Sequence, residues 1–176
     1  MDFLFYCRDK PGVDALLEAN VEAHWSFMDG YGDRLLTRGP TLSGDGEEHT
    51  GSLHIVRLDS AAETETFAYQ EPFHRAGCYD AVTIRRWRDR TGRSMRDFKS
   101  WSRDPLFLVL GHAAPSPALA LMLSERAAVF GWTQPLEGTQ PTGFAAILQA
   151  PARAAVEALL GDTAAAIHRW RVGGRR

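Results

Sequence analysis

Ile84-Arg85-Arg86-Trp87-Arg88 recurs as Ile167-His168-Arg169-Trp170-Arg171. Each stretch alternates apolar and polar residues with the period of a half-buried strand. Each also closes a run of elements in one order: residues 3 to 88 read as strand, helix, two strands, helix, strand, and residues 106 to 171 repeat that order. Self-similarity of this kind points to two copies of one supersecondary unit. That unit is a ferredoxin-like split βαβ sheet, whose helices cover one face and leave the other bare. A unit of roughly 70 to 90 residues buries only about 60% of its unfolded surface. The bare faces are therefore expected to cover each other. The fold class predicted is α+β, two tandem ferredoxin-like (βαββαβ) units packed sheet to sheet as an internal pseudo-dimer, in a two-sheet sandwich or open barrel. The units are placed at 1–88 and 105–176, joined by an arginine-rich linker at 89–104.

Within the first unit, Phe3-Leu4-Phe5-Tyr6-Cys7 is a buried strand that stops at the turn formers Asp9-Lys10-Pro11-Gly12. A helix follows from about Val13 to Asp29. Its apolar positions Leu17, Val21 and Met28 stand at i, i+4 and i+11, and the i+7 position is His24. A histidine thus points toward the core. Arg34 to Arg38 forms the second strand, closed by Gly39-Pro40 before the polar loop Ser43 to Glu48, expected to be mobile. Ser52 to Leu58 is the third strand. Ser60-Ala61-Ala62-Glu63 reads as a capping box for the next helix, which Pro72 ends, and Ala81 to Trp87 is the fourth strand.

The second unit repeats this grammar from Leu106-Phe107-Leu108-Val109-Leu110. Ser116-Pro117 opens a helix to about Phe130, a weak strand runs from Trp132 to Leu136, and Gly143 to Leu148 is the third strand. Pro151 opens a helix that Gly161 ends, and Ala165 to Val172 is the last strand. Aligning the first strands sets His24 opposite Ala127, and Glu71-Pro72-Phe73 opposite Leu160-Gly161-Asp162. Only the first copy keeps polar residues at those places, so one working cleft per chain is expected.

Composition narrows the function. Hydrophobic content of 44% and charged content of 24% are those of a globular protein, and a formal charge of -2 supplies no field for nucleic acid or an acidic membrane. The linker arginines Arg88, Arg90, Arg93, Arg96 and Arg103 alternate with Asp89, Asp97 and Asp104, so they read as a solvated face, with Phe98 and Trp101 fastening the segment to the fold. No basic leader or apolar stretch of about 20 residues is present. The expected setting is cytoplasmic, with no nucleic-acid or membrane partner. Cys7 and Cys78 are expected to be reduced thiols. No metal-ligand spacing and no phosphate-binding loop occurs, so no metal and no cofactor is expected.

From Phe3 to Arg88 the chain resembles the YCII-related (YciI-like) family. The landmarks are the opening strand with Asp9-Lys10-Pro11, Glu22-Ala23-His24-Trp25-Ser26-Phe27, Leu35-Leu36-Thr37-Arg38-Gly39-Pro40, the Asp45-Gly46 loop, Gly51-Ser52-Leu53-His54-Ile55-Val56, and Glu71-Pro72-Phe73-His74-Arg75-Ala76-Gly77. The resemblance implies a dimeric α/β-barrel fold, found as pairing single copies and as tandem repeats, with a histidine and an aspartate suspected of catalysis. His24 stands at the family histidine. Glu71 stands where the family usually has aspartate, and its extra methylene puts the pairing of the two in question. Arg38 occupies a position that is usually small.

The expected catalytic residues are therefore His24 with Glu71 or Asp45, and the expected substrate-binding residues are Arg38, His54 and Trp25. An imidazole held by a carboxylate moves protons near neutral pH, and a guanidinium fork suits a carboxylate or phenolate. His54 is read as lining the space between the sheets, and Trp25 as a pocket wall beside His24. The function expected is cofactor-independent proton transfer on a small molecule, by elimination or isomerisation. The alternative is a non-catalytic module that binds a small metabolite, or an accessory subunit. Whether two chains associate further is left open.

Overall fold

The computed structural model describes residues 1–100 and 104–175, with side chains omitted at 98–100. Eight strands close into one antiparallel barrel. The first half contributes β1 (Asp2–Asp9), β2 (Leu35–Leu42), β3 (His49–Arg57) and β4 (Tyr79–Asp89), with α1 (Asp14–Asp29), α2 (Glu63–Tyr69) and α3 (Pro72–Arg75). The second contributes β5 (Leu106–Gly111), β6 (Val129–Gln134), β7 (Gly143–Gln149) and β8 (Ala165–Trp170), with α4 (Pro117–Arg126) and α5 (Arg153–Leu160). Around the barrel the order is β1-β3-β2-β8-β5-β7-β6-β4, so both halves place their strands in the same ferredoxin-like sequence of neighbours.

Closure is the feature beyond the sandwich or open barrel. β2 pairs with β8 at Thr41 and Leu42, and β4 pairs with β6 from Arg86 to Asp89. Each sheet thereby hides the edge the other would leave open. The inward face is apolar: Leu4, Leu53, Ile55 and Trp87 of the first half meet Leu108, Val129, Ile147 and Trp170 of the second. The repeated tryptophans are the largest side chains of this core, which explains why that motif is the clearest trace of the repeat.

Several local expectations are corrected. Gly39-Pro40 does not end β2, which runs on to Leu42, because Gly39 leaves room for the Trp170 ring and Trp170 Nε1 donates to the Gly39 carbonyl at 3.1 Å. A β-carbon at Gly39 would stand 1.9 Å from the Arg171 carbonyl oxygen and 2.7 Å from the tryptophan ring. Gly39→Ala is accordingly expected to cost about 2 kcal/mol through overpacking, read as a lower urea midpoint at unchanged slope. The Ser60 capping box is displaced: α2 starts at Glu63 without a side-chain cap, and Ser60 reaches the Glu63 carboxylate instead of an amide. Pro72 opens α3, since α2 has already ended at Tyr69. α4 stops at Arg126, and Phe130 lies in β6, which therefore begins earlier than Trp132.

The linker arginines also do more than face solvent. Arg93 donates to the Ala127 carbonyl at 2.6 Å and Arg96 to the Gly32 carbonyl at 3.0 Å, so the segment after β4 satisfies backbone oxygens of both halves. The expectation for Phe98 and Trp101 lies outside the described side chains. No described helix is long and apolar enough to cross a membrane.

Candidate active site

The two helix layers differ in kind. Over the second sheet, Leu119, Leu123, Phe130, Phe144, Val156 and Leu160 pack as continuous apolar core. Over the first, α1 is 16 residues long against 10 for α4, and its buried stripe of Leu17, His24 and Met28 carries a histidine into the layer. The apolar clusters there split in two, one around Phe3, Phe5 and Phe67, the other around Cys7, Leu17 and Phe73. The polar site lies between them.

Glu71 organises it. Its extended backbone makes it the N-cap of α3, where its carboxylate accepts from the Phe73 amide at 3.0 Å and the His74 amide at 2.9 Å. The same carboxylate is hydrogen-bonded to His24 Nδ1, and both side chains are buried. The extra methylene of glutamate therefore does not part the pair; it lets one carboxylate cap a helix and hold the imidazole. Phe73 lies flat on the His24 ring, with centroids 4.2 Å apart and planes 7° apart. With Nδ1 engaged and the ring clamped, Nε2 is the nitrogen left for a ligand. Gly77, at φ +77°, reverses the chain after α3 and returns it to β4, so the corner bearing Glu71 is fixed at both ends.

His24 opens on a cavity of about 660 Å³, within the range of small-molecule sites. Trp25, Arg38, His54 and Phe73 line it with His24. Arg38 and His54 are cross-strand partners on β2 and β3. Arg38 donates to Asp29 at 2.7 Å, while its Nε and Nη1 are buried without a protein partner. The site is thus a wall of imidazole and guanidinium groups over an aromatic and aliphatic floor.

Residues 1–88 match the YCII-related domain. The chain belongs to the YCII-related family. No protein with a curated description matches it. Among solved structures, the 5-chloro-2-hydroxyhydroquinone dehydrochlorinase of Burkholderia phenoliruptrix AC1100, in complex with 2,5-dihydroxybenzoquinone, is 33% identical over 50% of this chain and 94% of its own, with a TM-score of 0.48. An anthrone oxidase-like protein matches 99% of this chain and 92% of its own at 12% identity, TM-score 0.51. A chlorite dismutase candidate matches 97% and 94% at 9% identity, TM-score 0.55. The last two show the shared dimeric α/β-barrel fold alone.

Other sequence-derived candidates of this YCII-related chain fall differently. Trp25 lines the cavity. His54 lines it too, but from the helix face of the sheet, because the inward face of β3 is taken by Leu53 and Ile55; it does not face the space between the sheets. Asp45 is not brought to His24. It caps its own turn, accepting from the Ser43 hydroxyl and from the Glu47 amide at 3.1 Å, and these bonds hold its exposed carboxyl below the usual range. The turn expected to be mobile is tied to the Arg169 side chain through the Asp45 carbonyl at 3.0 Å.

Two contributions to the site were missed in the sequence. His49 lines the cavity with its Nδ1 on Asp9, whose carboxylate is buried with one oxygen unpartnered. Asp9 looks like a turn former locally, and only the β1–β3 register, which sets Arg8 beside Gly51, carries it to His49. The other is the segment after β8. Residues 171–174 close one side of the cavity, and Arg175 ties that segment to α1 through Asp29, Glu22 and Ser26. Cys7 is buried and its thiol is pushed up by desolvation, so no nucleophilic thiolate is offered. Among the described residues, no group of three or more metal-binding side chains converges.

Full burial, followed by the charges of His24, Arg38 and His49, holds His54 well below its ordinary pKa of 6.5. The folded state therefore keeps it neutral while the unfolded chain takes up a proton below about pH 6.5. Stability contributed by this neutral ring is present above that pH and is lost on acidification, by about 2 kcal/mol at pH 5. Urea titrations of wild type and His54→Phe at pH 7 and pH 5 check this: the variant is expected to lose less on acidification.

Proposed function

We propose that this YCII-related chain is a cofactor-independent acid–base enzyme for a small oxygenated substrate that passes through an enolate- or phenolate-like anion. The observation that carries the reading is the buried His24–Glu71 pair, ring-clamped by Phe73 at a cavity that also holds Arg38. His24 Nε2 takes a proton from carbon or oxygen of the substrate. Glu71 on Nδ1 fixes the tautomer and stabilises the charge the ring gains. The released electron pair moves onto the substrate carbonyl oxygen, where the unpartnered nitrogens of Arg38 supply donors at the cavity wall. Return of the proton at another atom gives isomerisation. Expulsion of a β leaving group, with the proton carried from His24, gives elimination.

The test uses 2,5-dihydroxybenzoquinone, a planar vinylogous acid small enough for the cavity, as a binding probe followed by calorimetry. A panel of β-halo and β-hydroxy carbonyl compounds and hydroxyquinols is screened for turnover. An enzyme binds the probe in wild type and in His24→Gln with similar affinity, but loses turnover in the variant. A binding module keeps the affinity and shows turnover in neither protein. Failure of the probe to bind or to alter Trp25 fluorescence would sink both readings.

A further inference from the structure

The repeated motif carries a second feature that the His24 site does not use. Trp87 and Trp170 fill the barrel interior, and two residues before each, on the same face of its strand, stand Arg85 and His168. Both line a separate cavity of about 500 Å³ within the barrel, reached from solvent past the exposed Arg85 and His112. The halves meet there: the Tyr6 hydroxyl of β1 lies 3.3 Å from His168 Nε2 of β8, with ring centroids 5.3 Å apart. Thr83 and Thr133 add hydroxyls, and Leu4, Leu110 and Ala166 supply an apolar floor.

The charge pattern is one-sided. Among the described residues, none of those lining this cavity is acidic, whereas Asp14, Glu18, Glu47 and Glu48 all border the His24 cavity. Arg85 has no acidic partner among the described residues; its Nη1 donates to the Ile84 carbonyl at 3.2 Å. Burial raises the pKa of Tyr6, so its O–H is retained, while burial and then Arg153 lower that of His168. The tyrosine–histidine pair is therefore neutral near pH 7.5 and leaves the guanidinium uncompensated. An arginine fork beside hydroxyl donors matches a carboxylate, and the apolar floor matches a hydrocarbon body rather than a bare inorganic anion.

We propose that this barrel-interior cavity is a second ligand site, taking a small organic carboxylate whose anionic end meets Arg85 and whose apolar body rests on Leu4, Leu110 and Ala166. It is independent of the His24 chemistry and stands or falls separately.

The probe is benzoate, titrated into the full chain at pH 7.5 and followed by methyl NMR. Leu4, Leu110 and Ala166 report this cavity, and Leu17 and Val21 report the other. The expected result is saturable shifts at the first set, with affinity falling at least tenfold in Arg85→Ala, an exposed position whose loss leaves the core intact. Ala166→Leu, which fills the cavity, is expected to reduce binding equally. Shifts confined to Leu17 and Val21, shifts that rise linearly without saturating, or undiminished affinity in either variant would overturn the assignment. Equal displacement of benzoate by inorganic phosphate would overturn the organic-carboxylate class.

Discussion

His24→Gln is expected to lower turnover of any substrate found for the His24 cavity by two to four orders of magnitude while changing its affinity less than about threefold, the range for loss of a positioned general acid–base group. Glutamine is close in length and keeps a polar group against Glu71, so the cavity and the α3 corner survive. What it cannot do is take a proton at the position of Nε2 and release it again. Loss of turnover at constant affinity therefore isolates proton transfer from binding. The pH profile adds a check. The pH dependence of kcat/KM that a proton-accepting His24 confers is expected to be absent from the residual activity of the variant. Unaltered kcat would remove His24 from the mechanism and leave His49, the other imidazole of the cavity with its nitrogen on a buried carboxylate, as the group to replace next.

How far the sequence speaks for the site depends on distance along the chain. His24 was readable because a helix converts spacing into facing: a polar residue in the stripe Leu17, Val21, Met28 must enter the layer beneath. Glu71 before a proline was readable as a corner, and the family pattern linked it to His24. The barrel was legible in outline because the bare faces of two small sheets need cover, and the two tryptophans of the repeated strand end show where. Closure was not legible, since it turns on which edges meet, and those contacts join β2 to β8 and β4 to β6 over long stretches of chain. The same limit hid the Asp9–His49 pair. Asp45 misled for the opposite reason: its local turn chemistry with Ser43 is complete in itself and leaves the carboxylate facing solvent.

Glu71→Ala is expected to lower stability by about 3 kcal/mol, more than any other single change at this site. Three hydrogen bonds converge on one buried carboxylate, from the Phe73 amide, the His74 amide and the His24 ring. Loss of a helix cap costs about 1 kcal/mol, and stranding a buried polar group without its partner about 1 to 3 kcal/mol. The two losses share one side chain, so they do not simply add. Glu71→Gln separates them. Its single amide oxygen replaces only one of the two carboxylate oxygens that accept from the α3 amides, so part of the cap survives and about 1 to 2 kcal/mol is lost in stability, while the charge that steadies the proton gained by His24 is gone. Stability and turnover are thus expected to part: the alanine variant loses both, whereas the glutamine variant keeps most of the urea midpoint and loses at least tenfold in kcat. Equal stability losses in the two variants would mean that the negative charge, rather than the cap, holds this corner together, and that Glu71 serves the fold through its contact with His24.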